Sequence, residues 1–163
     1  MTKFTVTTGL LSAAIILLNV GVAQQAQASV DNEVIQLVNQ ARSQGRVCGN
    51  QRFASARPLS ANGSLTRAAQ VHSADMAGRR QMSHTGSNGS SVGKRAKQAG
   101  YQWRGIAENV AVGYKSANAV VQGWLNSPGH CKNIMNPNYN EGGVSAVQGR
   151  DNKLYWTMVY GRR

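Results

Sequence analysis

From Asp31 to Ser43 the apolar residues fall at Val34, Leu37, Val38 and Ala41, the spacing of one helical face. Asp31 or Ser29 can cap this helix and Gly45 ends it. Cys48 to Ser60, with Gly49, Asn50 and Pro58, carries no period and reads as irregular. A second helix begins near Asn62 or Ser64, lines up Leu65, Ala69, His72 and Met76, and ends at about Gly78. Met82 to Ser91 is a loop rich in Gly and Ser; Ser91 then caps a short helix, Val92 to Ala99, closed by Gly100. Tyr101 to Tyr114 alternates and predicts an extended segment. Ser116 caps a helix through Leu125, with Val120, Val121 and Trp124 as its apolar side, and Ser127-Pro128-Gly129 stops it. Asn136 to Glu141 is turn-like, and Gly143–Gln148 with Lys153–Tyr160 reads as a hairpin around Gly149 to Asn152. Helices come first and the hairpin last, which disfavours parallel winding. The expected class is α+β, an antiparallel sheet covered by helices.

The first 28 residues obey a different logic. They hold one charge, Lys3, then an apolar run from Leu10 to Val22 and the small-x-small pattern Ala26-Gln27-Ala28. That is the layout of a secretory signal peptide. A membrane span needs roughly 20 apolar residues; this run is shorter and is interrupted by Asn19. The expected mature chain is Ser29–Arg163, a single domain that is secreted or periplasmic, with no transmembrane segment once the leader is removed. Neither a glycine-rich phosphate loop nor a strand-linked Gly-x-Gly-x-x-Gly is present, which disfavours nucleotide-driven chemistry.

Charge points to partners. Without Lys3, the 18 basic residues become 17 against 6 acidic ones, a net charge of +11. Such a field draws a protein toward anionic lipid or cell-envelope polymer. The cations are spread, Arg42 among them, and the tight groups are Arg79-Arg80 and Lys94-Arg95-Lys97. They read as a solvated basic surface, and no nucleic-acid-binding motif accompanies them. Cys48 and Cys131 are the two cysteines, and in an oxidising compartment such a pair more often bonds than stays free. A bridge closing so long a loop is worth about 4 to 5 kcal/mol in the chain-entropy picture.

Three histidines and one acid carry the candidate chemistry. His72 lies on an apolar helical stripe and reads as a packed structural residue. His84 and His130 sit beside helix ends, where binding groups tend to be held. Glu108 shares strand parity with Ile106, Val110 and Val112, so a carboxylate falls on an apolar face and must find partners or shift its pKa. Either it caps local backbone N–H groups, or His84, Glu108 and His130 form a two-histidine, one-carboxylate cluster. Two imidazoles and an oxygen can hold zinc with a position left for water. A serine hydrolase would use Ser83 or Ser127, but no Gly-x-Ser-x-Gly elbow exists.

Several segments resemble one family. They are His72-Ser73-Ala74-Asp75-Met76-Ala77, Met82-Ser83-His84, Ala107-Glu108-Asn109-Val110, the run from Val120 to His130, Asn133-Ile134-Met135-Asn136-Pro137 and Tyr155 to Gly161. In this order they are similar to the CAP superfamily, or SCP domain, which includes cysteine-rich secretory proteins, antigen 5, pathogenesis-related proteins and bacterial secreted relatives. The resemblance implies an α-β-α sandwich with a central antiparallel sheet, and a cavity whose histidines and acids correspond to His84, Glu108 and His130. Animal members place a second glutamate three positions after the helix tryptophan; here that position is Ser127. The two histidines, His84 and His130, could still hold zinc, although no cofactor is required. Cys48 and Cys131 are similar to a pair that bonds in a bacterial subgroup.

The family has no single activity, so fold does not fix function. Two readings compete. One is a monomeric, cavity-bearing binding module for lipid or envelope glycan. The other is a secreted hydrolase using His84, Glu108 and His130, with or without zinc.

Overall fold

The computed structural model describes residue 25 and residues 29–163. Apart from Gln25, the leader expected over residues 1–28 therefore lies outside the described residues. The helix α1 covers residues 29–42. It is followed by β1 (Arg46–Cys48), β2 (Gln51–Phe53), β3 (Ser60–Ala61), α2 (Gly63–Arg79) and α3 (Val92–Gln98). Then come β4 (Gly105–Val112), α4 (Ala117–Asn126), α5 (Pro128–Met135), β5 (Glu141–Gln148) and β6 (Leu154–Arg162). The main sheet has the order β3-β5-β6-β4, antiparallel except where the two residues of β3 run parallel to β5.

Alternation along β6 builds the layers. Tyr155 and Val159 pack against residues of α2, α3 and β4, while Trp156, Met158 and Tyr160 pack against α1, α4 and α5. Successive side chains of a strand point to opposite faces, so one strand serves two cores. The result is a helix layer of α2 and α3, the sheet, and a second layer of α1, α4 and α5. This is the expected α-β-α sandwich. Ser73 fixes the first layer by donating to the Thr157 hydroxyl at 2.8 Å or the Ser145 carbonyl at 3.0 Å. Gly143 lets α2 approach, because a Cβ there would fall on the backbone of Leu65 and Thr66.

Two segments depart from the sequence reading. Pro128, read as a stop, ends α4 but also occupies the first turn of α5, with Ser127 serving as the junction. Proline lacks an N–H that the first turn leaves unpaired anyway, so the same residue can stop one helix and start another. His130 thus lies on a helix rather than past one. The stretch read as irregular, Cys48 to Ser60, holds the turn and second strand of the β1–β2 hairpin, whose three-residue strands are too short to show a period. Cys48 at the end of β1 bonds to Cys131 of α5 across 83 positions.

Arg42 also departs from its expected place on the basic surface. Its side chain is fully buried and donates to the carbonyls of Arg57, Ile134, Asn136 and Tyr139, at 2.8, 2.5, 3.0 and 2.9 Å. One rigid fork thereby satisfies the carbonyl of Ile134, in the last turn of α5, together with three loop carbonyls. Arg42→Ala removes these donors and strands the acceptors in the core. The expected loss is at least about 3 kcal/mol of unfolding free energy, read by urea denaturation. A loss below about 1 kcal/mol would mean that the loops satisfy themselves in another way.

Candidate functional site at the edge of the sheet

Strand β4 ends the sheet order, and its adjacent residues Glu108 and Asn109 face opposite layers. Glu108 is buried on the α2 and α3 side. Its Oε2 accepts from Arg95 at 2.6 Å and its Oε1 from His84 Nδ1 at 2.9 Å. The side chains of Arg95 and Glu108 are 3% and 2% exposed, so this is an ion pair formed away from water. Such a pair repays its desolvation only when further hydrogen bonds complete it. Arg95 meets that condition, donating to the Ser90 carbonyl at 2.6 Å and the His84 carbonyl at 3.2 Å.

The burial of Arg95 corrects its expected place in a solvated Lys94-Arg95-Lys97 group. A signal for it exists in the spacing: Val92, Arg95 and Ala96 share one face of α3, and Arg95 and Ala96 are buried. Lys94 and Lys97 do remain exposed.

The loop bearing His84 is tied down from α2. His72 Nε2 lies 2.7 Å from the Ser83 carbonyl, which can only accept, so this nitrogen carries the proton. His72 is therefore packed and hydrogen-bonded, as expected, and its Nε2 also stands 3.8 Å from Glu108 Oε1. Asp75, three residues on, accepts from the Ser87 N–H at 3.0 Å and from Arg79 at 2.7 Å. The Ser83 hydroxyl accepts from the Thr85 N–H at 3.0 Å, a local turn contact.

Asn109 does for the other layer what Glu108 does for this one. Its Nδ2 donates to the His130 carbonyl at 3.1 Å or the Tyr160 hydroxyl at 3.0 Å, and its Oδ1 accepts from Asn133 at 2.9 Å. Asn133 reaches the Glu108 carbonyl as well, at 3.3 Å. The Glu108-Asn109 pair thus fixes His84 from one layer and α5, with His130, from the other.

The two imidazoles are driven apart in pKa. The hydrogen bond to Glu108 raises His84 above its ordinary value, more than its partial burial lowers it. His130 is lowered, first by burial and then by the charge of His84. His72 is lowered chiefly by burial. His84 remains 61% exposed at its side chain, with Nδ1 committed to Glu108 and Nε2 left for a ligand.

Zinc can be tested against this donor set. Among the described residues, no three or more His, Cys, Asp or Glu side chains are placed to hold a metal ion. Both Glu108 oxygens are engaged, which leaves His84 Nε2 and His130 as the nitrogens a zinc ion would meet. Catalytic zinc sites use three protein ligands. The residues present do not fit one.

A family model for CAP, the cysteine-rich secretory protein family, matches residues 35–160. The chain belongs to this family. Among its relatives is YkwD, an uncharacterized protein of Bacillus subtilis (strain 168), 29% identical over 138 residues, which cover 85% of this chain and 49% of YkwD. An extracellular protein from Bacillus anthracis containing an SCP domain superposes with a TM-score of 0.71 at 26% identity, over 86% of this chain and 42% of that one. An outer surface protein of Borrelia burgdorferi shares the fold, with a TM-score of 0.64, 21% identity and coverage of 81% and 88%. The chain thus spans about half the length of YkwD and less of the Bacillus anthracis protein.

Glu108→Gln removes the charge that raises His84. In an NMR titration the His84 midpoint is expected above 6.5 in the wild type and clearly lower in the variant, with His130 below 6.5. An unchanged His84 midpoint would show that Glu108 does not control it. His72 supplies a separate, opposite pH dependence. Its folded pKa lies below the unfolded value of about 6.5, so the unfolded chain binds the extra proton and stability falls as pH drops below 6.5. His72→Phe should flatten that acid-side slope of melting temperature against pH, whatever it does to the level.

Proposed function

We propose that this protein is an extracellular binding module that captures a lipid headgroup or an envelope glycan at the His84–Glu108–His130 edge. The observation that carries this reading is the burial of Glu108, which is held by Arg95 on one oxygen and by His84 on the other. A carboxylate so held, with its side chain 2% exposed, acts as an anchor for an imidazole and presents no oxygen to a substrate outside. What His84 offers outward is one N–H or one lone pair on a fixed ring. Below its raised pKa it is a cation, and the net charge of the chain favours an anionic partner. The extracellular setting is supported by the leader pattern of residues 1–28 and by the Bacillus anthracis and Borrelia burgdorferi proteins.

A hydrolase is the second reading, favoured by the opposite shifts of the two rings. Between their midpoints a protonated His84 could donate to a leaving group while neutral His130 accepts a proton from water, with Glu108 orienting His84.

The test uses vesicles containing an anionic phospholipid, and separately soluble envelope-glycan fragments, against wild type and a His84→Ala/His130→Ala variant. Binding is expected to weaken in the variant, on adding salt, and as pH rises through the His84 midpoint, because deprotonation removes the cation. Turnover of either probe, lost in the same variant, would move the assignment to the hydrolase. Binding that is indifferent to both substitutions would place the ligand elsewhere.

A further inference from the structure

A second concave surface lies between the β1–β2 hairpin and the C-terminal end of α5. It is a groove of about 560 Å³, within the range of small-ligand sites. Arg52 and Phe53 of β2 form one wall; Lys132 and Asn133 of α5, continued by Asn136 and Asn138, form the other. The Cys48–Cys131 bridge joins the hairpin to α5 and therefore fixes one wall against the other.

Two of the lining asparagines, Asn133 and Asn136, are held before any ligand arrives. Asn133 is oriented by its bonds to Asn109 and the Glu108 carbonyl, and the Asn136 side chain accepts from the Asn138 N–H at 2.9 Å. Fixed side chains lose little freedom on binding. The chemistry is equally specific. Asn133, whose two amide hydrogens are spent on Asn109 and Glu108, presents its Oδ1 as an acceptor, while Asn136 keeps its amide donors; acceptor and donor together are the combination that a sugar hydroxyl uses. Phe53 adds an aromatic surface for the C–H face of a ring. Arg52 and Lys132 supply two cations, and none of the lining residues is Asp or Glu. An acyl chain would have to desolvate these amides and charges without replacing their partners.

We propose that this groove is a binding site for an acidic oligosaccharide, with Arg52 and Lys132 taking its carboxylate or phosphate groups and the asparagine amides its hydroxyls. The site goes beyond the imidazole edge and does not depend on how that edge functions. Its position on the other side of Asn133 gives the protein two separate recognition surfaces.

The probe is trigalacturonate, with neutral N-acetylchitotriose as its comparison, titrated into the oxidised protein by NMR and calorimetry. Trigalacturonate should perturb the Asn136 and Asn138 side-chain amides and bind more tightly than the neutral trimer. Arg52→Ala/Lys132→Ala should weaken it by at least about tenfold. Lys94→Ala/Lys97→Ala removes the same charge from an exposed face of α3 and should change affinity by less than about twofold. Folding of each variant is checked by its melting temperature and by the dispersion of its backbone amide signals. Equal losses in the two double variants would overturn the proposal in favour of diffuse charge attraction. So would no binding at millimolar probe, tighter binding of the neutral trimer, or perturbations confined to His84 and His130.

Discussion

A carboxylate on a core strand is the constraint around which the first layer is organised. Glu108 occupies a position that alternation reserves for apolar residues, where leaving it unpaired would cost several kcal/mol. Arg95 must therefore come inside with it, and Arg95 can do so only because α3 turns that residue inward beside Ala96. Once inside, the guanidinium also holds the carbonyls of His84 and Ser90, which fixes both ends of the intervening loop. Local order at His84 is thus a consequence of satisfying one buried acid.

The second layer is organised by different means. Arg42 gathers carbonyls from around the end of α5 and from the segment before β3, and the disulfide ties α5 to β1. Asn109 then links α5 to β4. In this small domain three polar devices, an ion pair, a buried cation and an amide, do the positioning while the apolar clusters supply the burial. Each is buried, so water competes little with its hydrogen bonds.

Membership of the CAP family fits this division of labour. The Glu-Asn dipeptide matters as a pair because neighbouring strand residues face opposite layers, and each layer contributes a histidine. With Ser127 where animal members have a second glutamate, Glu108 is the acid that the described residues place at the edge, and it is buried and held by Arg95 and His84. Its electrostatics are consequently those of two unequal imidazoles, one raised by Glu108 and one lowered by burial and by its neighbour.

The sequence by itself determined the layers. Helical stripes at Val34 to Ala41, Leu65 to Met76 and Val120 to Trp124, with alternation in the last two strands, specify which faces must be buried, and burial is a local property of the period. The same parity marks Glu108 as a carboxylate in the wrong place, and the scarcity of histidine singles out His84 and His130. Which groups pair with one another was decided only in three dimensions. Arg42 and Arg95 look like surface cations because charge is visible in a sequence whereas enclosure is not. Pro128 looks like an end because its effect on the helix before it is certain, whereas its fitness to begin α5 depends on how residues 129–135 pack. The β1–β2 hairpin and the two residues of β3 carry too few positions to show a period; they exist because α5 and β5 offer them partners. Periodicity is written along the chain, but the compensation of a buried charge depends on groups that only the tertiary fold brings within hydrogen-bonding distance.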